Sequence, residues 1–261
     1  MAKTSFKINI IAAFLICSFA NAQLFRTRDR ADNREEDDVR QFSYGFYLVA
    51  NNFDYKLVLD PKFGMNGQKN LVTPKSSYGF GAGLIGRLRL NENFDLRLEP
   101  ALQFVERELY FNTQSNDRFA GGTPANQPFV PRVLTDADKL RTVKSTYVDI
   151  PLLLEMHGER WYNSRPYAAA GVNWMMNLQS NSKSEEDNQQ GIFRSTASNF
   201  AWTAEIGIQF YFTRFKLTPG FRGTFMTNNE LVADDATTPP YWTSAMSGIK
   251  TRAFMFVLKF E

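Results

Sequence analysis

From residue 42 onward the chain alternates between apolar and polar positions in stretches of about ten residues, the length a tilted membrane-spanning strand needs. Strand side chains point to opposite faces in turn. Phe42, Tyr44, Phe46, Leu48 and Ala50 therefore share one face. Tyr78, Phe80, Ala82, Leu84, Gly86, Leu88 and Leu90 form a second stripe, and Phe94, Leu96, Leu98, Leu102 and Phe104 a third, interrupted at Pro100. The fourth runs from Val148 through Ile150, Leu152 and Leu154 to Met156, the fifth from Ala168 to Leu178, and the sixth from Phe200 to Phe212. Phe215, Leu217, Phe221 and Phe225 make the seventh, with Pro219 in register. The eighth is Ala253–Glu261, where Phe254, Phe256, Leu258 and Phe260 oppose Ala253, Met255, Val257, Lys259 and Glu261. Alone, that last segment fits a closing barrel strand and a packed sandwich strand equally well. Pro100 and Pro219 predict a bulge or a local break in the ladder.

The connections sort into two kinds. Asn91-Glu92-Asn93 and Thr213-Arg214 read as tight turns, and His157–Arg165 is moderately short. The links around 52–77, 112–141, 179–198 and 227–248 are long and polar. Short turns at one end and long links at the other is the pattern of an outer-membrane barrel. The pattern predicts an all-β, antiparallel, up-and-down transmembrane β-barrel of about eight strands, with short periplasmic turns and long extracellular loops. An even strand count places both termini in the periplasm.

The first residues have the form of a secretory signal peptide over 1–22. Lys3 and Lys7 are followed by an apolar run from Ile8 to Phe19 and by Ala20-Asn21-Ala22 as a small-residue cleavage site. Cys17, the one cysteine, is expected to leave with it, which removes disulfide, thiolate-metal and cysteine-nucleophile chemistry. Residues 23–41 form a charged periplasmic segment, in which 26–40 reads as a mobile linker, and 42–261 form the barrel. With 30 basic and 27 acidic residues the charge is near neutral, giving no support for nucleic-acid binding. The 24 Phe, 10 Tyr and 4 Trp suit a barrel with aromatic girdles.

The faces opposite the apolar stripes carry the charge. Arg87, Arg89, Asp95, Arg97, Glu99, Asp149, Glu155, Glu205, Gln209, Lys216, Arg222 and Lys259 all fall there. A barrel of about eight strands is only wide enough inside for side chains, and buried charges persist only when paired. The lumen is therefore expected to hold a structural ion-pair network of Arg87, Arg89, Arg97, Glu99, Asp149, Glu155, Glu205, Arg222 and Lys259. Neutralising Arg89 or Glu205 should weaken the barrel. Gly79, Gly81 and Gly83 share that inward face and would make room for long Arg or aromatic side chains opposite. Gly81–Gly86 spells G-x-G-x-x-G, but inside an alternating strand rather than at a strand–helix turn.

No catalytic constellation stands out. His157, the one histidine, falls in a predicted turn and is expected to be solvated. Glu185-Glu186-Asp187 and Asp234-Asp235 read as solvated loop charge, without calcium-loop spacing. No enzyme activity, metal, cofactor or small-molecule substrate is expected.

Tyr44-Gly45-Phe46-Tyr47-Leu48 followed by Asn52-Phe53-Asp54-Tyr55, the stretch Tyr147–Leu154 containing Asp149 and Pro151, and Arg160-x-x-Asn163-x-Arg165-Pro166-Tyr167 carry a resemblance. Together they resemble the PorT (SprT) outer-membrane proteins of Bacteroidetes. The resemblance implies a non-enzymatic outer-membrane component of the type IX secretion system, supporting protein export and gliding motility. Its partners would be outer-membrane lipid and other type IX components, with segment 26–40 the first candidate contact. A passive channel or ligand-binding barrel is the alternative. The stretch from Phe129 to Lys144 reads as an insertion particular to this chain.

Overall fold

Alternating apolar stripes need lipid or protein on one side, and the computed structural model shows how the chain supplies both. The structure describes residues 33–61, 65–66, 69–70, 72–111, 140–184, 193–234 and 242–261. The signal segment, most of the 112–141 link including most of the Phe129–Lys144 stretch, Glu185–Asp187 and Asp235 lie outside them. Arg34–Glu261 forms one compact unit.

Eight barrel strands follow a short helix, α1 (Glu35–Val39). They are β1 (Phe42–Leu59), β2 (Val72–Arg89), β3 in two parts (Phe94–Leu98 and Ala101–Phe111), β4 (Leu140–His157), β5 (Ser164–Asn177), β6 (Ser198–Tyr211), β7 (Lys216–Met226) and β8 (Met246–Phe260). Each pairs antiparallel with its sequence neighbours, and β1 pairs with both β2 and β8, which closes the ring. At the closure Phe46 faces Phe260, with the rings stacked 5.0 Å apart. A two-residue hairpin, Met65–Asn66 with Lys69–Asn70, stands in the β1–β2 link.

Phe80, Ile206 and Phe221 remain 67%, 64% and 66% exposed, in stripes that run around the outside. Apolar exposure on that scale belongs to a lipid-facing surface rather than a solvated one. No helix among the described residues is long and apolar enough to cross a membrane.

The strands are longer than the stripes predict. Expected link 52–77 is largely strand, since β1 runs to Leu59 and β2 starts at Val72. The cause is an inversion of the alternation. Through Ala50 the outward residues of β1 are all apolar. Beyond Asn52, Phe53 and Tyr55 are buried inside while Lys56 is exposed outside. Strand pairing continues past the lipid, where the outer face no longer needs to be apolar, so a reading based on lipid stripes ends too early.

The prolines act as predicted breaks. Pro100 separates the two parts of β3, while Glu99 N–H donates to the carbonyl of Pro151 at 3.1 Å across the gap. At Pro219 the β6–β7 ladder skips from Leu217–Phe210 to Gly220–Gly207, while pairing with Leu258 of β8 continues. Tight turns close the near end. Asn91 Oδ1 accepts from the N–H groups of Asn93 (2.9 Å) and Phe94 (2.8 Å), an Asx turn. Phe212 and Phe215 stack at 5.0 Å across the β6–β7 turn.

The inward glycines make room, Gly83 for an aromatic ring as expected and Gly81 for a glutamine rather than an arginine. A Cβ on Gly81 would come within 2.2 Å of the Gln103 side chain, and one on Gly83 within 2.5 Å of the Tyr47 ring. The G-x-G-x-x-G run therefore serves lumen packing within β2, not a phosphate loop.

Candidate functional site: a sealed lumen

Alternation along five strands, β3, β4, β6, β7 and β8, sends charged side chains to one level of the interior. Glu99 is the hub. It accepts from Arg97 Nε at 2.7 Å and Lys259 Nζ at 2.8 Å, and it pairs with Arg222. Glu205 takes Arg222 and Lys259, both at 2.6 Å, and accepts from the hydroxyl of Tyr167 at 2.6 Å. Arg97 also reaches Glu155 at 3.4 Å and Glu261 at 2.6 Å. Gln209 donates to Glu155 at 2.7 Å, and Lys216 pairs with Glu261 at 2.9 Å. Arg97, Lys216, Arg222 and Lys259 thus face Glu99, Glu155, Glu205 and Glu261, with every side chain buried. Equal numbers of each sign, joined in one network, offset the large desolvation cost of burying them.

The structure brings most of the predicted lumen charges into this region, with two corrections. Arg89 is half-buried at the last residue of β2 and takes no ion pair among the described residues. The strand ends there, one step past the inner layer. Asp149 is fully buried but makes no ion pair among the described residues. Gln103 donates to it at 3.4 Å. Arg87 lies below the main cluster, paired with Asp95 at 3.2 Å. His157 is also displaced from expectation. It is the last residue of β4, buried, with Nε2 3.5 Å from Asp95.

At the short-turn end the described part of the charged segment, residues 34–40, is docked, where a mobile linker was expected. Arg34, in the left-handed region at φ 55°, holds Asp37 at 2.5 Å and donates to the carbonyls of Arg214 (3.0 Å) and Glu261 (3.3 Å). Arg87 donates to the Asp37 carbonyl at 3.0 Å. Asp38 is gripped by Arg160 at 2.8 Å and Arg165 at 3.1 Å, and Arg160 lies over the Tyr211 ring at 4.0 Å. Arg160 also donates to Asn163 at 3.1 Å. Apolar periodicity cannot announce this segment, because complementary charge and carbonyl acceptors hold it. Of the motif residues, Arg160, Asn163 and Arg165 build the clasp. Tyr167 enters the charge cluster, Pro166 faces outward, and Pro151 lies inward on β4 opposite Asn173.

Toward the long-link end the lumen turns aromatic. Tyr47 and Phe53 fill the middle with Tyr147, and the rings of Phe53 and Tyr147 stack at 5.6 Å. Above them Arg107 lies 4.1 Å over the Tyr55 ring and donates to Thr251 (2.8 Å), Ser145 (2.9 Å) and Tyr147 (2.9 Å). Glu230, on the link after β7, accepts from the N–H (2.5 Å) and hydroxyl (3.0 Å) of Thr251. Burial raises its pKa above the usual carboxylate range. An apolar cap closes the end. Trp242, from the short 3-10 helix Trp242–Ala245, packs on Phe111, Val143 and Ile249, with Arg141 4.4 Å from its ring. Asp234 is not solvated as expected. It accepts from the Thr243 N–H at 2.7 Å and so fixes that helix. Glu230, Arg107 and Trp242 escaped the sequence reading because their partners sit on strand extensions and links without lipid stripes.

Charge at one level, aromatic rings at the next and a covered end on each side leave the described lumen filled. Among the described residues, no group of three or more His, Cys, Asp or Glu side chains is placed to hold a metal.

Residues 21–231 match the family model of the outer membrane protein beta-barrel domain. No curated protein matches the chain. Among solved structures, Neisserial surface protein A is similar at 10% identity and TM-score 0.40, over 84% of this chain and 98% of its own. Ail of Yersinia pestis, bound to a heparin analogue, is similar at 9% identity and TM-score 0.35, over 85% and 99%. The outer membrane protein AlkL is similar at 13% identity and TM-score 0.35, over 91% and 92%.

Proposed function

This chain belongs to the outer membrane protein beta-barrel family, and from that premise we propose that it is a non-enzymatic, structural component of type IX protein secretion rather than a pore. The observation that carries the reading is the sealed lumen, with its neutral charge network, aromatic middle and two covered ends. A barrel filled in this way acts through its rims. The PorT-like motifs supply the secretion assignment, and their Arg160 and Arg165 hold Asp38 of the N-terminal segment. In this reading the short turns and both termini face the periplasm. The exposed Glu35, Glu36 and Val39 of α1 then form the first surface offered to other secretion components.

Deleting the gene is expected to stop export of type IX cargo and to abolish gliding, both restored by the intact gene. A deletion strain that exports and glides normally would remove the assignment. In planar bilayers the purified chain should give no steady conductance. Reproducible single-channel steps would instead favour a passive channel, since a lumen filled by side chains leaves no continuous water path.

A further inference from the structure

We propose that the outer face of β1, β8, β7 and β6, at the long-link end, binds a phosphate-bearing, multi-chain lipid of the outer leaflet. Two adjoining surface features carry this. The first is an apolar groove of about 840 Å³, within the range of ligand pockets. Its floor is Ala204 beside Gly223, which pair across β6 and β7. A Cβ on Gly223 would meet nothing nearer than the Phe225 ring, at 3.1 Å. Trp202, Phe221, Phe225 and Phe254 wall the groove. Such a trough in a lipid-facing surface admits an acyl chain.

The second feature begins where the groove ends. Trp202 and Phe225, stacked at 4.4 Å, also line a neighbouring depression bounded by Lys56, Lys250 and Arg252. Outward residues change character in step on the paired strands. Ala50 faces Phe256 and Asn52 faces Phe254. Asp54 then faces Arg252, and Lys56 faces Lys250. The apolar face therefore gives way to charge within two residue pairs, at the level expected of lipid headgroups.

Arg252 is already paired with Asp54 at 2.6 Å. Lys56 and Lys250 are exposed directly opposite each other, and neither takes a carboxylate among the described residues. Like charges opposite one another across an antiparallel pair repel. An anion between them would turn that repulsion into attraction, and a phosphate offers three acceptor oxygens for the two ammonium groups. A lipid supplies both requirements at once, with a phosphate at the lysine pair and chains in the trough below. The inference is independent of the secretion assignment and rests on the long links facing outward.

The test is native mass spectrometry of the full chain released from phosphatidylcholine nanodiscs carrying a bisphosphorylated, multi-acyl disaccharide lipid. The wild-type chain should retain that lipid, and its dephosphorylated form at least tenfold less. Lys56→Gln with Lys250→Gln should lower retention of the phosphorylated lipid at least tenfold. Gly223→Phe, which fills the trough and leaves the lysines intact, should lower it independently. A heat-dependent gel shift checks that each variant is folded. Equal retention of the two lipid forms, or of wild type and the lysine variant, overturns the proposal. Displacement of the lipid by millimolar inorganic pyrophosphate also overturns it, by showing a polyanion patch that ignores the chains.

Discussion

Glu99→Leu is expected to destabilise the folded barrel by about 3–5 kcal/mol, the cost typical of breaking a buried pair from one side. In the native cluster Glu99 receives Arg97, Arg222 and Lys259. Without it, Arg97 keeps Glu155 and Glu261, but Arg222 and Lys259 must share Glu205 alone. One buried cation is then uncompensated. Because the cluster is buried, added salt should not rescue it. The measurement is the urea midpoint of the chain in lipid vesicles, read by the gel-mobility difference between folded and unfolded barrel. Adding Arg222→Leu should recover part of the loss, since it removes the stranded charge, and the non-additivity measures the coupling. Arg89→Leu serves as the contrast. At its half-buried site outside the ion pairs it should stay within about 0.5 kcal/mol of wild type. Equal midpoints for Glu99→Leu and Arg89→Leu would refute the network.

Trp242→Ala is expected to cost about 3–5 kcal/mol locally, through lost burial and the cavity left behind. The ring is 1% exposed, packs edge-on against Phe111 at 4.8 Å and carries Arg141 on its face. Trp242 lies on a link rather than a strand, so the loss should appear as opening of the cap, not of the barrel. Limited proteolysis checks this. The variant should be cut within 227–245 at protease levels that leave wild type intact, while the gel shift of the barrel persists. Trp242→Phe should fall between the two. An unchanged cleavage pattern in Trp242→Ala would mean that the cap is held by something other than this ring.

These two sites differ in how far the sequence foretells them. Glu99, Glu205, Arg222 and Lys259 were legible as inward residues, because alternation assigns a face to every strand position once the lipid stripe is found. Which residue pairs with which was not legible. Glu99 and Lys259 are 160 positions apart and meet across the lumen, and parity carries no information about contacts across a barrel. Arg89 shows the limit from the other direction. Its parity is correct, but β2 ends on it, and a face assignment does not say where the inner layer stops. His157 was misplaced for the same reason, a turn drawn one residue too early.

Docking of α1 was invisible for a different reason. Arg34, Asp37 and Asp38 look like any solvated charged run until closure of the ring sets Arg160, Arg165 and Tyr211 around them. The same holds for Lys56 and Lys250, unremarkable lysines until the β1–β8 register sets them opposite one another.

By itself, then, the sequence determined the eight-strand alternation, the sorting of short turns from long links, the ladder breaks at prolines and the sign of each face. All of these are local, set by side-chain period and turn chemistry within a few residues. Tertiary structure alone decided that the lumen is sealed, which charges neutralise one another, how far the strands rise past the lipid, and what covers each end. Those depend on register and closure, which bring together residues whose separation along the chain leaves no periodic trace.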